Sequence, residues 1–175
     1  MNKTKTILIY GLIAGLIMNS AWWIFNVLFM DMENYDMTLG QAIGYATMVL
    51  AFGVGVFFGV KKHRDSLPTD DFSFGQAFLT GLYISLVGCV IYVIGWMIYS
   101  DLMMPDFMVD YMAAQVQAMK ESGSSAAEIE TFKSDMQEWV ELYKNPLIKA
   151  GITFTEPLPV GLIVPLIAAF VLKKK

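Results

Sequence analysis

A carboxyl at Glu156, hydroxyls at Thr153 and Thr155, and prolines at Pro157, Pro159 and Pro165 all fall within one segment that is otherwise almost wholly apolar. Pro157 and Pro159 lack the N–H groups that would bond the carbonyls of Thr153 and Thr155, and Pro165 does the same to Gly161, so a helix break is expected there. The opened turn would gather carbonyls, two hydroxyls and a carboxyl: oxygen ligands suited to a proton or a hard cation. Asn19 and Asn26, which share one face of an earlier apolar segment, are the other candidate members of this polar site. Two arrangements fit the residues. In one, a continuous final helix is broken at this turn. In the other, Thr155 caps a short last helix and Glu156 favours its positive end. That helix, from 157 to 172, would reach only about 24 Å. A carboxyl held for packing, protonated and hydrogen-bonded, is the structural alternative to a functional one.

Other chemistries find less support. Cys89 is the single cysteine and His63 the single histidine, so neither a disulfide framework nor a CxxC metal site is possible. Met104, Met108 and Met112 recur every four residues, and such thioethers can take Cu(I). With no Cys or His beside them, an adaptable apolar face is expected instead, and no metal. No nucleophile stands with a paired base and no glycine loop could cradle phosphate, so the chain is expected to be neither an enzyme nor a cofactor binder.

The elements that must position these groups follow from composition. Of 175 residues, 56% are hydrophobic and 16% charged, with a mean hydropathy of +0.53, too apolar for an ordinary soluble domain of this size. Four stretches are long enough to cross a hydrocarbon core: about 7–30, 39–60, 74–99 and 147–172. The first exceeds a secretory signal core and lacks a convincing cleavage site, so it is an expected span. The predicted fold is all-α: an integral membrane four-helix bundle, with lipid as its surroundings. The net charge of −4 gives no support for nucleic-acid binding.

Eight of the twelve basic residues, namely Lys3, Lys5, Lys61, Lys62, Arg64 and Lys173 to Lys175, fall on one side of four crossings. The retention of Lys and Arg in the cytoplasm makes both termini cytoplasmic. Trp22, Trp23, Tyr45, Trp96, Tyr99, Trp139 and Tyr143 gather toward the opposite boundary as interfacial anchors. Thr38 with Gln41, and Ser73 with Gln76, have capping-box spacing and mark the starts of spans two and three. Small residues line both spans: Gly44, Ala51, Gly55 and Gly59 on the second, Gly81, Gly88 and Gly95 on the third. Such stripes let helices approach closely in lipid, within one chain or between copies.

Residues 101–146 form the expected insertion, an extracytoplasmic helical hairpin. Pro105 suits the start of its first helix, whose apolar face carries Met104, Met108, Met112, Val116 and Met119, and Gly123 its end. Ser125 and Glu128 open the second helix as a capping box, Ile129, Phe132, Met136, Trp139 or Val140, and Tyr143 continue its apolar face, and Asn145-Pro146 stops it.

SFGQAF, IYVIGWMIY, the PDF at 105–107, YKNPL and TEPLPVG together resemble an uncharacterised bacterial membrane-protein family, domain of unknown function 4199. The likeness covers nearly the whole chain. It implies a multi-pass protein of the bacterial cytoplasmic (inner) membrane, typical of Bacteroidota, and brings no activity and no catalytic residues. The expected function is that of a small accessory or assembly protein that offers its acidic, Met-rich hairpin to a membrane-protein partner or to a second copy. A minimal proton or cation transporter or channel working through Glu156 is the alternative.

Overall fold

The computed structural model describes residues 2–29, 37–68 and 71–174, leaving aside the side chains of 26–29 and 37–39. The chain is all-α among these residues, with helices α1 (Lys3–Phe29), α2 (Met37–Arg64), α3 (Phe74–Met103), α4 (Phe107–Glu121), α5 (Ala126–Tyr143), α6 (Pro146–Thr155) and α7 (Leu158–Leu172). Four spans, Lys3–Phe25, Gly40–Arg64, Phe74–Met103 and Pro146–Leu172, are long and apolar enough to cross a membrane. Against the limits drawn from hydropathy, the first begins four residues earlier and the second and third each end four residues later, because a helix keeps its hydrogen bonds after its side chains turn polar.

Two compact units divide the chain: Met1–Gly95 with Phe154–Lys175, and Trp96–Thr153. The first is an up-down-up-down bundle. Gly55 and Gly59 of α2 meet Ala14 and Tyr10 of α1, and Gly81 of α3 meets Val56 of α2 and Pro165 of α7. Gly161 of α7 meets Ser85 of α3, while Gly11 and Gly15 of α1 pass α3 beside Val87 and Ile91. A Cβ at Gly11 would stand 2.5 Å from that of Val87, so only glycine permits the approach. Phe52, fully buried, fills the centre against Gly88 and Gly161, with Ala14, Ala51, Val56, Ile84, Cys89, Ala168 and Ala169 around it. Outside, Leu12, Leu50, Ile94, Ile167 and Phe170 stay exposed, the surface a lipid solvent requires.

One end of this bundle is basic. Asn2 caps α1, its Oδ1 accepting from the Lys5 N–H at 2.9 Å. The chain between α2 and α3 tucks in Phe72, which meets the edge of the buried His63 and whose carbonyl accepts the Lys174 N–H at 2.9 Å. Ser73 and Gln76 form the expected reciprocal cap of α3, at 2.9 and 3.3 Å. The corresponding cap at Thr38 lies outside the described side chains.

In the second unit α4 packs on α5. α4 begins at Phe107 rather than at Pro105, which lies in the preceding turn with Asp106 as N-cap. The shift has a plain cause: α3 continues through Met103, and Pro105 ends it. Gly123, at φ +80°, closes α4 as a Schellman turn in which Ser124 N–H bonds Met119 O (2.9 Å) and Gly123 N–H bonds Lys120 O (3.1 Å). Met104 and Val116 are buried and Met108, Met112 and Met119 half-buried, the packing role of an apolar face.

Ser125 and Glu128 form the complete capping box of α5. The backbone N–H and hydroxyl of Ser125 both donate to the Glu128 carboxylate, holding it below its ordinary range. A depressed carboxyl contributes stability above its unfolded value and loses it as pH falls through the folded one. Acidification from pH 5 toward pH 3 is therefore expected to fray the first turn of α5, seen as weakened amide signals at 126–128, and Glu128→Gln, which cannot titrate, should remove that pH dependence.

Candidate functional site

Glu156 occupies the turn between α6 and α7, so the fourth crossing is broken where the prolines fall. α6 runs helically through Thr155, so Thr155 does not cap the last helix. Pro157 is the N-cap, at φ −79° and ψ −11°, and Pro159 follows in the first turn. α7 opens with the Gly161 N–H on Pro157 O at 2.8 Å. Pro165, expected as a further break, interrupts nothing: α7 passes through it, and its ring lies against Gly81, whose missing side chain makes the room.

The phenol of Tyr92 donates to Glu156 Oε2 at 3.0 Å, joining α3 to the turn. Tyr92 is buried while Glu156 stays exposed at the bundle surface. Counting along the helices from the basic end, Asn19, Tyr92 and Glu156 each lie about 24–27 Å away. With the basic residues at one interface of a core about 30 Å thick, this polar layer sits near the opposite hydrocarbon edge. At the same level a crevice of about 20 Å³, room for one water-sized group, is lined by Met18, Ala21, Trp22, Ile43, Gly44, Thr47, Met48 and Tyr92.

The remaining candidates disperse. Asn19 spends both amide hydrogens on carbonyls, Gly15 O in its own helix at 3.0 Å and Ile91 O of α3 at 2.9 Å, and its amide fills the space above Gly95. It is therefore a packing bolt between α1 and α3. Asn26's side chain lies outside the described residues. Thr153 belongs to the second unit, its hydroxyl buried with no hydrogen-bond partner among the described residues, and Thr155 is exposed. Gly55, Gly59, Gly81, Gly88 and Gly95 each press on a neighbouring side chain. Gly44 does not: among the described residues a Cβ there would meet nothing within 4 Å, because Gly44 lines the crevice.

Sequence reasoning missed three groups. Tyr92 was signalled by position, since Gly81, Ser85, Gly88 and Tyr92 advance by four, three and four along one helix face. Gly11, Gly15 and Asn19 likewise form a straight i+4 line, the small-xxx-small pattern of close contact. The third group is in the second unit, where Lys149 Nζ, with 11% of its side chain exposed, meets Asp101 Oδ1 at 2.7 Å and stands 5.4 Å over the Tyr143 ring. Opposite charges at the facing ends of two antiparallel apolar helices were its sequence signal. Around them Trp96 Nε1 donates to Tyr143 Oη at 2.7 Å and Phe107 meets both rings, so these aromatics serve internal packing. Asp101 is largely exposed, so Asp101→Ala is expected to cost only about 1 kcal/mol. Adding Lys149→Met should recover most of it, read as midpoints of thermal unfolding.

Comparison with known proteins decides the family. The model of the family described as protein of unknown function (DUF4199) matches residues 9–174. The chain belongs to that family. Neither the curated proteins nor the solved structures contain a match to this DUF4199 chain. The match takes in the whole Glu156 turn, Tyr92, Asn19 and both close-packed glycines of α1. Among the described residues no three His, Cys, Asp or Glu side chains converge as a metal site.

Proposed function

We propose that this DUF4199 protein is a non-enzymatic accessory or assembly protein of the bacterial cytoplasmic membrane, with both termini in the cytoplasm and the hairpin outside. The observation that carries this reading is the filled interior of the bundle. Phe52, Val56, Ile84, Cys89 and Ala169 close its centre completely, and the crevice at one end is far too small to be a passage. A bundle whose described residues leave no route through its centre acts by contact. The hairpin offers the means: between 101 and 146 nine carboxylates face three lysines, while Val109 and Trp139 remain largely exposed on it. A partner with a basic, partly apolar surface would complement both features.

The reading is tested by flux. In proteoliposomes carrying a pH-sensitive dye, proton and monovalent-cation leak should equal that of protein-free vesicles, and Glu156→Gln should change nothing. Leak that depends on Glu156 would reject the accessory role and restore the transporter alternative. Sidedness is read separately: single cysteines at Ser124 and Lys174 in a Cys89→Ala background should react with an impermeant maleimide from opposite faces of the membrane.

A further inference from the structure

An exposed carboxyl at the hydrocarbon edge is costly unless something pairs with it from outside. Tyr92 satisfies one acceptor position of Glu156, and an ionised carboxylate has about four. Pro157 and Pro159 bring no N–H to the turn, so it holds a surplus of acceptors. The missing group must therefore supply several donors and a positive charge, and Glu156 is exposed to receive it. Beside this pair, Tyr92 forms one wall of the crevice with Trp22, Met18, Met48 and Thr47, an aromatic and thioether lining that favours a small cation over an anion. The level of the site, near the headgroup layer, is where lipid ammonium groups are concentrated.

We propose that Glu156 and Tyr92 form a binding site for a primary ammonium group, supplied by the headgroup of an aminophospholipid such as phosphatidylethanolamine. The ammonium donates to the free acceptors of Glu156, while Tyr92 fixes the carboxylate's rotamer. A quaternary ammonium, as in phosphatidylcholine, has no N–H to give and binds more weakly. An anionic headgroup such as phosphatidylglycerol is repelled. The site does not depend on the accessory role: a protein that passes no ions and one that does could both carry it.

The full chain in mild detergent, offered equal amounts of phosphatidylethanolamine, phosphatidylcholine and phosphatidylglycerol with identical acyl chains, is read by native mass spectrometry for retained lipid. The expected preference for phosphatidylethanolamine over phosphatidylcholine is about 10-fold, the range of one charge-assisted hydrogen-bonding contact. Glu156→Gln should abolish that preference, and Tyr92→Phe should reduce it several-fold while leaving the thermal unfolding midpoint close to wild type. If Glu156→Gln fails to fold, Tyr92→Phe alone decides. Equal retention of the three lipids by the wild type, or an unchanged preference in the folded variants, would overturn the proposal. Free ethanolamine that displaces the lipid at millimolar concentration would retain the ammonium chemistry but overturn its lipid source. A lysine of a co-purified protein cross-linked to Glu156 would overturn that source as well.

Discussion

Phe52→Ala should lower the stability of the bundle by about 3–5 kcal/mol, the cost of truncating a fully enclosed aromatic side chain. The size of the effect follows from its neighbours. One ring edge lies 3.1 Å from where a Cβ on Gly88 would stand and another lies 3.5 Å from that of Gly161, so α2 is keyed into α3 and α7 at two glycines. Glycines have no side chain to swing into the vacated space, and the backbones of three helices would have to close it. Lipid does not soften the penalty, because packing itself holds membrane helices together. Phe52→Leu, which keeps most of the volume, should cost less than about 1.5 kcal/mol. Thermal or denaturant unfolding in one mild detergent reads both, and a Phe52→Ala protein within about 0.5 kcal/mol of wild type would show that the centre is not closed as described.

Gly95→Ala is expected to destabilise by about 1–3 kcal/mol, and Asn19→Ala to rescue it. The three atoms nearest to a Cβ at Gly95 all belong to the Asn19 amide, so the added methyl collides first with that side chain. The same amide holds Ile91 O across the α1–α3 contact. Asn19→Ala on its own should therefore cost about 0.6 kcal/mol and no more than about 1.7, the average and the maximum for interhelical hydrogen bonds in membranes. The double variant should be more stable than the sum of the two singles requires, a coupling that a double-mutant cycle isolates. Strict additivity would mean that Asn19 does not occupy the space above Gly95.

The sequence made the four spans legible because the hydrocarbon core imposes a length and removes charge. It made the caps at Ser73 and Ser125 legible because a capping box is a local pattern of four residues. The extra length of α3 was hidden, since hydropathy marks the edge of lipid and not the end of a helix. Pro165 looked like a break because proline removes a donor, yet Gly81 opposite gives its ring a socket, a tertiary fact that no local pattern contains.

The polar site divides in the same way. Glu156 and its prolines were visible as a charge and a helix break in an apolar run. Their partner Tyr92, 64 residues earlier, was visible only as one more aromatic residue until the stripe Gly81, Ser85, Gly88 is extended by one step. Asn19 was legible as a buried polar group but not as a bolt, because two carbonyls at 3.0 and 2.9 Å claim its amide before Glu156 can. Gly44 belonged to the stripe but lies where α2 borders the crevice, with nothing among the described residues close enough to press on it.

The central claim, a closed bundle that works by contact with another membrane protein, is tested most directly by co-purification. A tagged copy expressed at native level is extracted in mild detergent, and whatever elutes with it is quantified by mass spectrometry. The account predicts one partner near stoichiometric amounts, lost when the hairpin residues Val109 and Trp139 are both replaced by serine. Elution alone, or a partner retained undiminished by that double variant, would contradict it.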